Sequence, residues 1–88
     1  MTTNLRKEVE NKIQNAIRWS IVQSKNDIKY YAYCNENIYA EAQVKTVNND
    51  LYASIKVYGT NITFCCFVNN NTLHLLDETI QRLSECIC

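Results

Sequence analysis

The segment Val44–Ala53, VKTVNNDLYA, places two asparagines between two stretches in which apolar and polar residues alternate. Alternation with a period of two is typical of a strand that buries one face. Asparagine tolerates the positive φ that a two-residue hairpin turn requires, so Asn48 and Asn49 are predicted to form such a turn. The resulting register directs three pairs toward the interior: Thr46 with Leu51, Val44 with Ala53, and Ala42 with Ile55.

Two further turns extend this hairpin into a predicted meander of four antiparallel strands. Gly59 and Thr60 are predicted to form a two-residue loop with glycine first, as a type II′ turn requires, and a three-residue loop is predicted at 35–37. Both loops keep the apolar residues of neighbouring strands on one face, which is necessary when that face is buried. The inward pairs predicted across these loops are Val57 with Ile62, Ile55 with Phe64, Cys34 with Ile38, and Ala32 with Ala40.

Helical periodicity flanks the predicted strands on both sides. Before the strands, apolar residues recur at helical spacing and predict an amphipathic helix of about five turns. A second helix is predicted after the asparagines at 69–71. The apolar positions are Leu5, Val9, Ile13, Ala16, Ile17 and Ile21 in the first helix, and Leu73, Leu76, Ile80, Leu83 and Ile87 in the second. The predicted fold is a single α+β domain over residues 1–88, ordered α-β-β-β-β-α, with both helices packed on the inner face of the sheet.

The charges of the chain balance, with nine basic and nine acidic residues. Binding that depends on phosphate neutralisation needs clustered lysine and arginine, so this balance counts against a nucleic-acid partner. No apolar segment reaches the roughly 20 residues of a membrane-spanning helix, and the first residues lack the apolar core of a signal peptide. We therefore expect a cytoplasmic protein without a membrane partner, in which the five cysteines are thiols.

No set of residues predicts catalysis, a cofactor or a bound metal ion. His74, the single histidine, precedes Asp77 and Glu78 by about one helical turn, which is typical of a solvated surface contact. Cys86 and Cys88 lie two positions apart, so on a helix their side chains point roughly 200° apart and chelate poorly. The chain has one glycine and thus no glycine-rich loop for a phosphate group. The sequence therefore indicates a protein that is not an enzyme.

Tyrosine is concentrated on the predicted outer face of the sheet, opposite the helices. The register places Tyr33, Tyr39 and Tyr58 in one row and sets Tyr52 beside Phe67. Exposed aromatic residues in one patch are enriched at protein interfaces, although tyrosine also suits any half-exposed strand. The predicted partner-binding residues on this face are Tyr31, Tyr33, Tyr39, Tyr52, Tyr58, Phe67 and Lys56.

The last predicted strand, ITFCCFV at residues 62–68, lies at an edge of the sheet and carries no charge. Edge strands usually carry a charge, a proline or a bulge, because an unpaired edge associates with other chains. Three explanations are open: pairing with its twin in an eight-stranded homodimer, pairing with an extended segment of another protein, or a strand order other than a meander. The residues of this predicted interaction edge are Ile62, Thr63, Phe64, Cys65, Cys66, Phe67 and Val68.

These features favour a small interaction protein or inhibitor that occludes or recruits a partner protein through the tyrosine face, the apolar edge, or both. Asparagine, isoleucine, lysine and tyrosine have AT-rich codons, and their abundance here suits a low-GC bacterium, its phage or mobile elements, or another AT-rich genome. A phage-encoded inhibitor such as an anti-CRISPR protein is a hypothesis from size and composition, without a supporting motif. The alternatives are a protein that binds single-stranded nucleic acid through the tyrosines and lysines of the same face, and a structural subunit that assembles only with itself.

Overall fold

A computed structural model describes residues 2–86, which form two helices and one five-stranded antiparallel sheet. The strands lie side by side in chain order. The predicted α+β meander is therefore confirmed, with five strands instead of four. Ile87 of the predicted second helix, and Cys88, lie outside the described residues. The elements in chain order are α1 (Thr2–Gln14), β1 (Ser20–Gln23), β2 (Asp27–Cys34), β3 (Asn37–Val47), β4 (Asp50–Val57), β5 (Thr63–Phe67) and α2 (Leu73–Ser84).

The additional strand β1 lies where the sequence predicts the last turns of the first helix. α1 ends at Gln14, and β1 pairs antiparallel with β2. Ile21 continues the helical spacing of the sequence, yet its main chain lies opposite Tyr30 in the sheet. The prediction of a five-turn helix is therefore wrong beyond Gln14.

Trp19 provides the physical reason for the early end of α1. Its indole Nε1 donates a hydrogen bond to the carbonyl oxygen of Ile13 at 2.7 Å, and the last carbonyls of a helix need such partners. The ring of Trp19 also lies 5.7 Å from the ring of Tyr30. These two contacts turn the chain back along β2.

The hairpin between β3 and β4 has the predicted turn and register. Asn48 and Asn49 adopt φ angles of 51° and 68°, the left-handed conformation that a type I′ turn requires. The sequence alternation and the turn thus specify the same pairing. The confirmed pairs are Thr46 with Leu51, Val44 with Ala53, and Ala42 with Ile55.

The turn between β2 and β3 has two residues instead of the predicted three. Asn35 and Glu36 form it alone, with φ angles of 53° and 74°, and Cys34 lies opposite Asn37. A positive φ at glutamate is uncommon, so this turn is difficult to recognise from the residue types. The shorter loop shifts the start of the β2–β3 register by one residue.

A β-bulge corrects this shift further along the two strands. Ala32 lies opposite Ala40 as predicted, but the next pair is Tyr33 with Ile38, which leaves Tyr39 as the extra residue on β3. The predicted pairing of Cys34 with Ile38 is therefore wrong, and Ile38 is exposed. The bulge confines the error to the end of the sheet near the turn.

β5 follows β4 in the predicted register and forms an edge of the sheet. The N–H of Val57 donates to the carbonyl of Ile62 at 3.1 Å. Thr60 holds the connecting loop together, because its Oγ1 donates to the Val57 carbonyl at 2.8 Å and accepts from the Ile62 N–H at 3.0 Å. Gly59 adopts a φ of 76° in this loop, which glycine accepts at little cost.

One hydrophobic core lies between the two helices and the inner face of the sheet. α1 lies against β3 and β4, and α2 lies against β5 and α1. An ion pair of 2.8 Å between Lys12 and Asp77 joins the two helices. Fully buried alanines at 40 and 53 leave room for helix side chains above the sheet. The buried helix residues are Val9, Ile13, Leu76 and Leu83.

Candidate functional site

The outer face is the side of the sheet opposite the core, and it holds most of the side chains predicted to bind a partner. Strand pairing brings these side chains into rows that cross β2, β3, β4 and β5. One row consists of Tyr31, Glu41, Lys56 and Thr63, and the next consists of Lys29, Gln43, Ser54 and Cys65. The face therefore combines aromatic, amide, hydroxyl and oppositely charged groups.

A groove with a volume of about 460 Å³ lies on the outer face. Three tyrosines line it, Tyr31, Tyr52 and Tyr58, together with Lys29 and Lys56. Aromatic rings supply apolar contact area, and the polar groups between them can fix the orientation of a partner. The groove is therefore the strongest candidate for a binding site on this face.

Ring contacts hold two of the groove tyrosines in place. The Nζ of Lys45 lies 5.1 Å from the ring centroid of Tyr52, and the Nζ of Lys56 lies 5.2 Å from that of Tyr58. These distances fall within the range of cation–π interactions. Tyr52 also contacts Phe67 edge to face at 5.6 Å, as its predicted position beside Phe67 implies. A lysine therefore covers one face of each of these two tyrosine rings.

Tyr33 and Tyr39 do not line the groove. Tyr33 is exposed at the end of β2, opposite Ile38. Tyr39 is half-buried against the core, and its carbonyl accepts a hydrogen bond from the N–H of Tyr58 at 2.9 Å. The predicted row of Tyr33, Tyr39 and Tyr58 is therefore wrong between Tyr33 and Tyr39, because the bulge removes Tyr39 from the position opposite Tyr33, whereas Tyr39 lies beside Tyr58 as predicted.

The β5 residues alternate between the core and the outer face. Phe64 is buried, whereas Thr63, Cys65 and Phe67 are exposed. The flanking residues Ile62 and Val68 are buried as well. The predicted interaction edge thus consists of an inward set that belongs to the core and an outward set that lies on the surface.

The cysteines differ from the prediction of five thiols. Cys65, Cys66 and Cys86 are free thiols, but Cys34 is disulfide-bonded. Burial raises the pKa of the half-buried Cys66 thiol. The thiol prediction is therefore wrong at Cys34, because it rested on the expected reducing cytoplasm and on no contact of the individual cysteines.

Cys65 and Tyr52 form a polar contact at the end of the groove. The Sγ of Cys65 lies 2.6 Å from the Oη of Tyr52. This contact raises the pKa of Tyr52 because it stabilises the protonated hydroxyl, and desolvation of the ring adds to the effect. The contact therefore joins a groove tyrosine to an exposed thiol of β5.

Replacement of Cys65 by alanine is expected to lower the pKa of Tyr52 toward its ordinary value, because the hydrogen bond to sulfur is lost. The ring resonances of Tyr52, followed by NMR through an alkaline pH titration, measure this change. Cys66→Ala is the matched control, since it removes the neighbouring thiol and leaves the contact in place. An unchanged Tyr52 pKa in Cys65→Ala contradicts the contact.

Sequence reasoning missed exposed apolar side chains on β1 and α2. Ile21 and Val22 on β1 are exposed, because the helix that was predicted to bury Ile21 ends before them. Leu75 on α2 is 44% exposed. Leu75 falls outside the predicted apolar stripe of this helix, and that signal was available in the sequence.

Among residues 2–86, no helix is long and apolar enough to cross a membrane. Within the same residues, no three histidine, cysteine, aspartate or glutamate side chains lie close enough to hold a metal ion. No protein-family model, curated protein or solved structure matches the chain.

Proposed function

We propose that this protein is a small, non-enzymatic interaction module or inhibitor that binds a partner protein through the outer face of its sheet. The observation that carries this proposal is the 460 Å³ groove lined by Tyr31, Tyr52 and Tyr58 on the face opposite both helices. Tyrosine is enriched at protein interfaces because a rigid ring buries a large area at a small cost in entropy, and its hydroxyl adds a hydrogen bond.

The charges of the outer face support a protein partner over a nucleic acid. Glu41 lies opposite Lys56 in the middle of the sheet, and Asp27 lies opposite Lys45. Carboxylates at these positions repel a phosphate backbone, whereas a protein surface can complement both signs of charge. The alternating charges therefore favour a partner of mixed charge.

The contacts of the tyrosine rings also favour a protein partner over a nucleic acid. Proteins that bind single strands stack bases on aromatic ring faces. Here Lys45 covers one face of Tyr52 and Lys56 covers one face of Tyr58, while Phe67 abuts Tyr52. A base that stacks on these faces must first displace a lysine. Contacts with ring edges and hydroxyl groups, which are common between proteins, need no such displacement.

The β5 edge is the second proposed surface, and an inhibitor can occlude its target with either surface. A phage origin and an anti-CRISPR type of activity remain hypotheses from size and composition. A cytoplasmic location is proposed as well. The free thiols at Cys65, Cys66 and Cys86 support a reducing compartment, whereas the disulfide at Cys34 counts against one.

The test is recovery of a partner from a lysate of the source cells with the tagged protein and a double variant, Tyr31→Ser with Tyr58→Ser. The double variant is expected to lose the partner, because it removes two of the three groove tyrosines. Tyr33→Ser is the matched control, since Tyr33 is an exposed β2 tyrosine outside the groove. Circular dichroism melting shows that each variant is folded.

Two outcomes contradict the proposal. Equal recovery of the same protein by the wild type and the double variant excludes the groove as the binding site. Recovery of nucleic acid favours the alternative, provided that binding weakens steeply with salt and is lost when Lys29, Lys45 and Lys56 are replaced by alanine.

A further inference from the structure

The unpaired side of β5 presents a regular row of hydrogen-bonding groups. The N–H of Val57 donates to Ile62, and the N–H of Val68 donates to Leu51. Backbone groups alternate in direction along a strand, so residues with the parity of Ile62 and Val68 bond to β4. The residues of the opposite parity direct their backbone groups away from β4 and toward solvent. These residues are Thr63, Cys65 and Phe67.

These backbone groups can form a hydrogen-bond ladder with a further strand. Each of the three outward residues has one N–H donor and one C=O acceptor. The Phe67 carbonyl accepts a hydrogen bond from Thr72 Oγ1 at 3.1 Å, but a carbonyl oxygen has two lone pairs and can accept a second. Within the described part of the chain, β5 thus presents three donors and three acceptors to a further strand.

Two contacts fix which side of α2 lies beside this edge. Asp77 pairs with Lys12, so that side of α2 faces α1. Arg82 donates to Asn61, which immediately precedes β5, at 2.8 Å. Each residue of a helix turns by about 100°, which places Leu75 on the Arg82 side. The exposed Leu75 therefore lies over the β5 edge.

Apolar side chains consequently flank the β5 backbone on both faces of the sheet. Leu75 is 44% exposed on the helix side, and Phe67 is 48% exposed on the outer face. Within the strand itself, no residue from Thr63 to Phe67 is charged. An approaching strand therefore gains apolar contact on both sides and meets no charge that must be desolvated.

The opposite edge of the sheet also exposes apolar side chains, Ile21 and Val22, but it is shorter and has basic residues beside it. β1 has four residues, and Arg18 and Lys25 lie close to its two ends. Val22 also lies opposite Lys29 on the outer face. Two copies that met through β1 would bring like charges together, which destabilises a strand pair. Short, charged edges of this kind are typical of protection against self-association.

We propose that two copies of this protein associate through antiparallel pairing of β5, with the two-fold axis at Cys65. Cys65 is the middle residue of β5, so this register uses every outward group and sets Thr63 opposite Phe67 of the second copy. A two-fold contact closes on itself and produces a defined dimer. Five strands from each copy then form one continuous sheet, and Leu75 of each copy lies near the axis.

The dimer rests on the proposed function, in which the β5 edge is the second interaction surface, and it names a second copy of the chain as the partner of that edge. It rests on the backbone groups of β5 and requires none of the groove tyrosines, although Thr63 and Cys65 belong to both surfaces. The dimer aligns two grooves on the same side of one sheet, so a partner with repeated epitopes can be bound bivalently. The two proposals therefore fail separately.

Light scattering over a range of concentrations, under reducing conditions, is the first test. The chain has a mass of 10.3 kDa, and the wild type is expected to show twice this mass. Cys65→Lys is expected to be monomeric, because two ammonium groups then meet at the axis. Ser54→Lys is the matched control, since it places the same charge opposite Cys65 on β4, away from the edge. A monomeric wild type, or a dimeric Cys65→Lys variant, overturns the proposal.

Cross-linking with dibromobimane, a short bifunctional thiol reagent, tests the register. Residues directly opposite each other in a hydrogen-bonded antiparallel pair have Cα atoms about 5.5 Å apart. The wild type and Cys66→Ser are expected to give covalent dimers on a denaturing gel, and Cys65→Ser is expected to give none while its mass in solution stays that of a dimer. A covalent dimer that persists in Cys65→Ser overturns the axis at Cys65.

A third measurement separates this proposal from the proposed function. The double variant Tyr31→Ser with Tyr58→Ser is expected to keep the dimeric mass, because neither tyrosine lies on β5. Loss of the partner with retention of the dimer supports both proposals. Loss of the dimer in the double variant overturns the assignment of the contact to β5.

Discussion

Leu76→Ala is expected to lower the free energy of unfolding by about 3 kcal/mol, because truncation of a buried leucine leaves a cavity. Leu76 is fully buried between α2 and the sheet. A domain of this size has a total stability of roughly 5–15 kcal/mol. The variant therefore loses a large share of its stability, and urea denaturation followed by circular dichroism measures the loss.

The neighbouring residue provides the control for this prediction. Leu75 has the same side chain but is 44% exposed, so Leu75→Ala is expected to change the stability by less than about 1 kcal/mol. Both variants are compared at a concentration at which the wild type is monomeric, because association adds to apparent stability. Equal losses in the two variants contradict the rotation of α2 and, with it, the position of Leu75 over β5.

The central strands are predictable because local and long-range signals agree there. Asn48 and Asn49 favour a two-residue turn, and the alternation on both sides of that turn allows one register with a buried face. The structure has that register. The same reasoning placed Tyr52 beside Phe67 correctly, so cross-strand neighbours on the outer face can be read from the sequence wherever the ladder is regular.

The errors occur where a tertiary contact or an unusual backbone conformation decides the structure. Ile21 fits the helical period, and periodicity has no information about the contacts of Trp19 with Ile13 and Tyr30 that end the helix. Glu36 adopts a positive φ that its residue type rarely takes. The first error replaces the end of a helix with β1 and exposes Ile21, and the second exposes Ile38, whereas the central strands keep their predicted inward residues.

The candidate site likewise has features that the sequence predicts and features that it does not. The tyrosines and lysines of the outer face are predictable, because strand parity alone assigns them to one side. The positions of Lys45 over Tyr52 and of Lys56 over Tyr58 depend on side-chain conformations, which a strand pattern does not specify. These contacts support the proposed protein partner over a nucleic acid, and they cannot be read from the sequence.

Trp19→Ala is expected to lower the free energy of unfolding by about 3 kcal/mol, in the range of other large aromatic truncations. The substitution removes the hydrogen bond to Ile13 and the ring contact with Tyr30. It also releases the connection between α1 and β1, so amide hydrogen exchange at Ser20–Gln23 is expected to accelerate more than exchange in β4. Urea denaturation and exchange measured by NMR provide the two readouts.

Trp19→Phe separates the two contributions of this side chain. Phenylalanine keeps an aromatic ring against Tyr30 but cannot donate to the Ile13 carbonyl, so a loss of about 1 kcal/mol is expected. Protection of β1 is expected to fall less than in Trp19→Ala. If β1 keeps its full protection in Trp19→Ala, Trp19 does not determine where α1 ends. If β1 separates from the sheet, β2 becomes the exposed edge strand. Because β2 carries Tyr31 of the groove, the stability of the β1 edge affects the proposed binding face.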